Sequence, residues 1–244
     1  MTLAALVGCG LVMGMVNNLA GAAGVVGLVG FEELAGMDTV SANASLRLSA
    51  LAITFSGWLG FRSSGRHVPP HVWRWGLLAI PGAIAGAAMA VTLPVWVYRL
   101  TLLAVLLTVL AQQLRRARPA ADPSAGRASA WVFVLLGAHM GFVQVASGLV
   151  AILALSAVHS RDLIRVNTAK MAILLCASLA ANAVLAVSGH VEWGPALTLA
   201  LGCGAGSFLA SRWSVASGHS AVRVVVIVIT LAVLARLLWQ MADA

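Results

Sequence analysis

Two cations stand inside long apolar runs, where an idle charge is poorly tolerated. Arg47 follows Asn43 by four residues, and Lys170 follows Asn167 by three. On a helix, both spacings put amide and cation on one face. An aspartate, Asp38 or Asp162, precedes each group and reads as a helix N-cap. Arg47 then lies ~13 Å beyond its cap, deep in hydrocarbon. A charge there costs at least ~2.5 kcal/mol and marks a pathway or a paired interior site. Two cations at nearly symmetric places, each with an amide, suit an anion held between them. The competing reading is structural: Arg47 pairs with Glu33 or Asp38, and Lys170 snorkels toward the surface.

The chain around these residues is a membrane chain. Of its 244 residues, 61% are hydrophobic and 9% charged, which fits a polytopic membrane protein and not a soluble domain. The net charge of +8 sits mostly in arginines of short connections, where it sets orientation in the bilayer. The lipid bilayer is therefore an expected partner, and nucleic acid is not. The start, Met1-Thr-Leu-Ala-Ala, has no basic segment, so a cleaved signal peptide is not expected. Cys9, Cys176 and Cys203 lie within apolar runs and read as packing residues. No metal-ligand spacing links them to a histidine, and neither a metal nor a cofactor is expected.

The apolar runs fall at 3–30, 41–61, 73–93, 96–114, 131–158, 166–187, 195–211 and 221–240. A polar linker over 115–129 divides them into a repeat at 1–114 and a second at 130–244. Gly10, Gly14, Asn17 and Gly21 return in order as Gly137, Gly141, Gln144 and Gly148. Asp38 and Asn43 return as Asp162 and Asn167, and Trp73 as Trp193. Gly82 and Gly86 return as Gly202 and Gly206, in small-xxx-small spacing suited to close helix contact.

A carboxamide followed by glycine is suited to breaking a helix inside a membrane. Such a break is tolerated only where it is buried in protein or lines a cavity. If the runs 3–30 and 131–158 each cross once, Arg161, Arg165 and Arg212 fall outside. If each is a re-entrant hairpin turning near Asn17–Gly24 and Gln144–Gly148, all three join Arg62, Arg66, Arg74, Arg115, Arg116, Arg118 and Arg127 on the cytoplasmic side. The positive-inside rule favours the second layout. The expected fold is all-α and polytopic, with eight apolar segments in two inverted repeats, each a broken first helix followed by three transmembrane helices.

The expected substrate-binding set is Asn17, Asn18, Asn43, Arg47, Gln144, Ser147, Asn167 and Lys170. Glu33 and His139 are candidates for proton coupling, against the plainer readings of a solvated loop and a packing histidine. Arg99 and Arg223 mark helix ends. Stripes of small residues permit a homodimer. Two other classes compete with transport. One is a membrane partner or assembly protein that moves nothing. The other is an intramembrane hydrolase built on Ser147 with His139 or His190, which lacks a Gly-x-Ser motif.

The chain resembles the sulfite exporter TauE/SafE family over nearly its whole length. The resemblance rests on the tandem halves, the two glycine series, the helix starts Ala42-Asn43-Ala44 and Asn167-Thr168, and the segment Ile80-Pro81-Gly82-x-x-x-Gly86. It implies a secondary transporter of sulfur-containing anions, such as sulfite, sulfonates or sulfoacetate, in the bacterial inner membrane. Its site would be formed by the polar residues at the two breaks and at the following helix starts. The chain departs from the family where a glycine-rich run and a proline are usual: it has Asn17-Asn18-Leu-Ala-Gly21-Ala-Ala-Gly24 and no proline. That departure leaves the particular anion open.

Overall fold

The computed structural model describes residues 2–94 and 130–242, apart from positions 22, 145, 161, 188 and 190, with isolated positions between 96 and 104; side chains are described as far as residue 217. The expected run 96–114 and the linker 115–129 fall almost wholly outside the described residues, as does Arg99. The backbone at Arg223 is helical.

Helix α1 spans Thr2–Ala20. After a break, α2 spans Gly24–Val29 and runs into a π turn over Gly30–Leu34. Helices α3 (Thr39–Ser63) and α4 (Pro70–Thr92) follow. Beyond the linker come α5 (Ala130–Phe142) and, after a second break, α6 (Ser147–Val158). Helices α7 (Leu163–Ala186) and α8 (Trp193–Ala242) complete the described chain. Among the described residues, four stretches are long and apolar enough to cross a membrane: Leu3–Ala20, Pro70–Ala90, Leu163–Ala186 and Trp193–Ser217. Helices α5 and α6, with 13 and 12 residues, reach only ~20 Å each, short of the ~30 Å hydrocarbon layer.

Local sequence explains the helix limits. The Asp38 carboxylate accepts from Ser41 N at 3.1 Å, and that of Asp162 from Ile164 N at 2.9 Å, so both aspartates are N-caps. Pro70 opens α4, where its missing N–H costs nothing. Leu93 ends it, just before Pro94. The second repeat has no proline at the matching place. The runs 195–211 and 221–240, expected as two segments, are accordingly one continuous 50-residue helix.

Both breaks fall within the stretches expected to turn. Gly21 takes φ +75°, while Gln144 and Ala146 take φ 58° and 63° in the second break. The two breaks touch. A Cβ on Gly21 would lie 2.2 Å from the Gly148 carbonyl carbon, and one on Gly148 2.4 Å from Gly21 Cα.

The cores do not follow the sequence halves. One groups α1, α2 and α3 with α8 through Leu6, Met13, Phe31, Leu46, Ile53 and Leu199. The other groups α4 with α5, α6 and α7, around Val72, Ala79, Phe133, Leu155 and Ile173. Each repeat has thus placed its α4-type helix against the other's broken arm. Paired glycines make this possible. Gly10 and Gly14 meet the α8 backbone at Leu199–Cys203, and Gly202 and Gly206 meet Val7 and Leu11. Gly82 and Gly86 meet Val134 and Ala138, and Gly137 and Gly141 meet Ala79 and Ala83. A Cβ at Gly82 would come within 1.9 Å of the Val134 carbonyl oxygen, so these helices cannot accept alanine without moving apart.

Helices α3 and α7 join the two groups and run antiparallel. Asn182 donates to Arg47 O at 3.0 Å, Thr54 and Ser178 share a hydrogen bond at 3.3 Å, and Gly57 abuts Met171. Thr54 and Ser178 occupy equivalent places when the Asp38/Asp162 register is continued.

A Gly21→Ala substitution combines a left-handed φ with a backbone clash. It should lower stability in detergent by about 2–3 kcal/mol. Gly8→Ala and Gly194→Ala, where nothing lies within 4 Å of the added carbon, should leave the unfolding midpoint in place. The comparison is a thermal or denaturant unfolding series on purified protein.

Candidate functional site

A helix that stops leaves its last carbonyls without intrahelical partners and its negative dipole end exposed. In this protein a buried cation from the other repeat meets each such end. Arg47, 2% exposed, donates from Nη1 to Met140 O and Gly141 O at 2.7 Å each, and from Nη2 to Phe142 O at 2.8 Å. These are the final three residues of α5. Lys170, 1% exposed, donates from Nζ to Asn18 O at 2.6 Å, in the last turn of α1. The lysine is buried and does not snorkel to the surface.

Carboxamides secure the same two ends. Gln144 lies in the second break and donates from Nε2 to Leu46 O at 3.0 Å. The Ser147 hydroxyl turns back onto the Gln144 carbonyl. Asn18 lies in α1 and donates from Nδ2 to Ser207 O, Ser207 Oγ and Ser211 Oγ at 2.9, 2.8 and 2.7 Å. Ser207 and Ser211 in turn donate to Ile53 O and Gly57 O of α3. Asn43 and Asn167 lie one turn before their cations, with Asn167 fully buried.

Seven of the eight residues expected to bind substrate therefore form two clusters. Asn43, Arg47, Gln144 and Ser147 belong to the α5 end. Asn18, Asn167 and Lys170 belong to the α1 end. Along α3 the first cluster makes contact at Leu46 and the second at Ile53 and Gly57, a spread on the order of 10–16 Å. Asn17 is half-buried and makes no side-chain hydrogen bond among the described residues. Glu33 is exposed on the π turn. His139 is half-buried in the last turn of α5, and its carbonyl accepts from Val143 N and Gln144 N.

The clusters differ in what they have left to offer. The guanidinium of Arg47 is committed to three carbonyls. The ammonium of Lys170 has three donors and a single hydrogen bond, and it forms no ion pair among the described residues. The side-chain oxygens of Asn18, Asn43, Gln144 and Asn167 are buried without a hydrogen-bond partner among the described residues.

Sequence reasoning missed Ser207, Ser211, Thr54, Ser178 and Asn182. A signal for the serines was present. Ser207, Ser211 and Ser214 recur at helical spacing on one face of an apolar run, and all three are buried.

Outside the membrane helices, His159 at the end of α6 lies beside His71 and Trp75, with ring centroids 5.6 Å from each. Burial lowers its pKa, and the neighbouring His71 and Arg165 add to the effect.

The apolar helices and their buried polar ends together define a multi-pass helical membrane protein. The family model for the sulfite exporter TauE/SafE matches residues 6–237, and the chain belongs to that family. No curated protein and no solved structure matched the chain.

Removing the α5 cap should be costly. Arg47→Ala leaves three carbonyls without donors and should destabilise by about 3–5 kcal/mol. Arg47→Lys should recover part of this loss, as read by urea or SDS unfolding. The His159 shift predicts a pH effect. A histidine with a depressed folded pKa stabilises the fold above its unfolded pKa, and this contribution is lost as pH falls through the lower folded value. Stability should drop on acidification below about pH 6.5, and His159→Gln should flatten that part of the profile.

Proposed function

We propose that this protein is a secondary transporter of small anions, most specifically sulfur-containing oxyanions or organosulfonates such as sulfite and sulfoacetate, in the bacterial inner membrane. The observation that carries the reading is Lys170: a fully buried cation with spare donors and no carboxylate partner among the described residues. A buried charge is strongly unfavourable unless paired, and a substrate anion supplies the missing partner. Membership of the exporter family narrows the anion to sulfur chemistry.

In this reading the two repeats are inverted across the membrane. The antiparallel α3–α7 pair, the Thr54–Ser178 contact between equivalent positions and the touching breaks support that symmetry. Access alternates by rocking of the α1–α3–α8 group against the α4–α5–α7 group about this crossing, with the breaks at the pivot. Arg47 holds the α5 end in place, and Lys170 faces the substrate.

The test is ligand-dependent stability followed by flux. Detergent-purified protein is heated with sulfite, thiosulfate, sulfoacetate, taurine, sulfate, simple carboxylates or chloride. One sulfur anion at about 100 times its Kd should stabilise the wild type by ~2.7 kcal/mol. Lys170→Met should not respond, and its vesicles should show no flux of that anion. Equal responses in wild type and Lys170→Met would sink the assignment of the lysine.

A further inference from the structure

The hydrogen-bond directions around Asn18 leave one atom unaccounted for. Ser207 O is a carbonyl and can only accept, so the atom of Asn18 facing it at 2.9 Å must be the nitrogen. Turning the amide over would set two acceptors against each other. The orientation is therefore fixed, and Asn18 Oδ1 faces away from the serines.

No neighbouring hydroxyl can fill that oxygen. Ser207 has one hydroxyl hydrogen, which goes to Ile53 O at 2.7 Å. That of Ser211 goes to Gly57 O or Ser207 O, both at 2.9 Å. Asn18 Oδ1 is left buried without a hydrogen-bond partner among the described residues, on a residue that is 0% exposed. Its own main-chain oxygen holds the Lys170 ammonium. Asn167, one turn from Lys170 and 1% exposed, has its Oδ1 in the same condition.

An unsatisfied acceptor on the residue whose main chain holds the cation narrows the ligand. A bare anion satisfies the lysine and sets its own lone pairs against the amide oxygens. A sodium ion satisfies the amide oxygens and is repelled by the lysine. A ligand with a negative oxygen and a hydrogen to donate satisfies both.

We infer that the ligand held at Lys170 is a monoanion carrying its own O–H or N–H donor, which it gives to Asn18 Oδ1. Protonated oxyanions and sulfamates have this chemistry; fully ionised dianions and simple alkyl sulfonates do not. The inference rests on the reading of Lys170 as the charge that faces the anion, and it narrows that reading's anions: hydrogen sulfite meets the rule, while fully ionised sulfite and sulfoacetate do not.

Sulfamate and methanesulfonate provide the test. Both are monoanions built on an –SO3⁻ group, and they differ by an amino group in place of a methyl. Their affinities for the full-length purified protein are measured by calorimetry at one pH. Sulfamate should bind at least about ten-fold tighter, the scale of one hydrogen bond to an otherwise unsatisfied buried acceptor. In Asn18→Ser that ratio should shrink toward one, and a ratio is insensitive to partial loss of folded protein. Equal affinities in the wild type, or a preference for methanesulfonate, overturn the donor rule and leave the anion reading standing. An unchanged ratio in Asn18→Ser overturns the assignment to Asn18. Failure of both ligands to bind overturns the anion reading and the donor rule together.

Discussion

Each broken helix ends inside an apolar medium, and its last carbonyls must be met there. Water is not at hand to meet them, and an unsatisfied backbone group in hydrocarbon costs several kcal/mol. Arg47 meets three such carbonyls at the end of α5, and Lys170 meets one at the end of α1. Both cations reach across from the other repeat. The break and the buried charge therefore justify each other: without the carbonyls the cation would be unpaired, and without the cation the helix could not stop there.

The interlocking of the repeats follows from the same need. For a cation in one half to reach a carbonyl in the other, the helices must approach closely. Glycines where α1 crosses α8 and where α4 crosses α5 remove the side chains that would hold them apart. The resulting hydrophobic groups mix the two repeats, α8 with the first and α4 with the second. Each half buries its broken arm partly against a helix of the other. The fold is thus a single unit with a crossing at its centre, where Gly21 meets Gly148 and Thr54 meets Ser178.

The repeats have also diverged in ways that matter chemically. Arg47 makes a multidentate cap that uses its fork of donors. Lys170 makes one bond among the described residues and keeps donors in reserve. The first break uses a glycine for its left-handed residue, and the second places Gln144 and Ala146 there, at an order of 1–3 kcal/mol of backbone strain each. Arg47 is thus committed to a helix end, and the proposed transport role falls to Lys170 because of this difference.

The sequence by itself determined the membrane character, most helical runs, the caps at Asp38 and Asp162, the two break points and, among the buried polar residues, Asn18, Arg47, Gln144, Ser147, Asn167 and Lys170. These are local properties: hydropathy, periodicity and turn chemistry act over a few residues. It also carried the glycine pairs, legible as small-xxx-small spacing, though not what each would touch. Only the tertiary structure decided that Arg47 and Lys170 bind helix ends, that the polar residues form two clusters, and that α4 and α8 change sides. Arg47 meets its carbonyls 93 to 95 residues away, and Lys170 meets Asn18 at a separation of 152. No local pattern encodes which distant carbonyl a cation will face. The joining of two expected segments into α8 has a similar cause, since continuing a helix depends on the absence of a proline and on what the helix packs against.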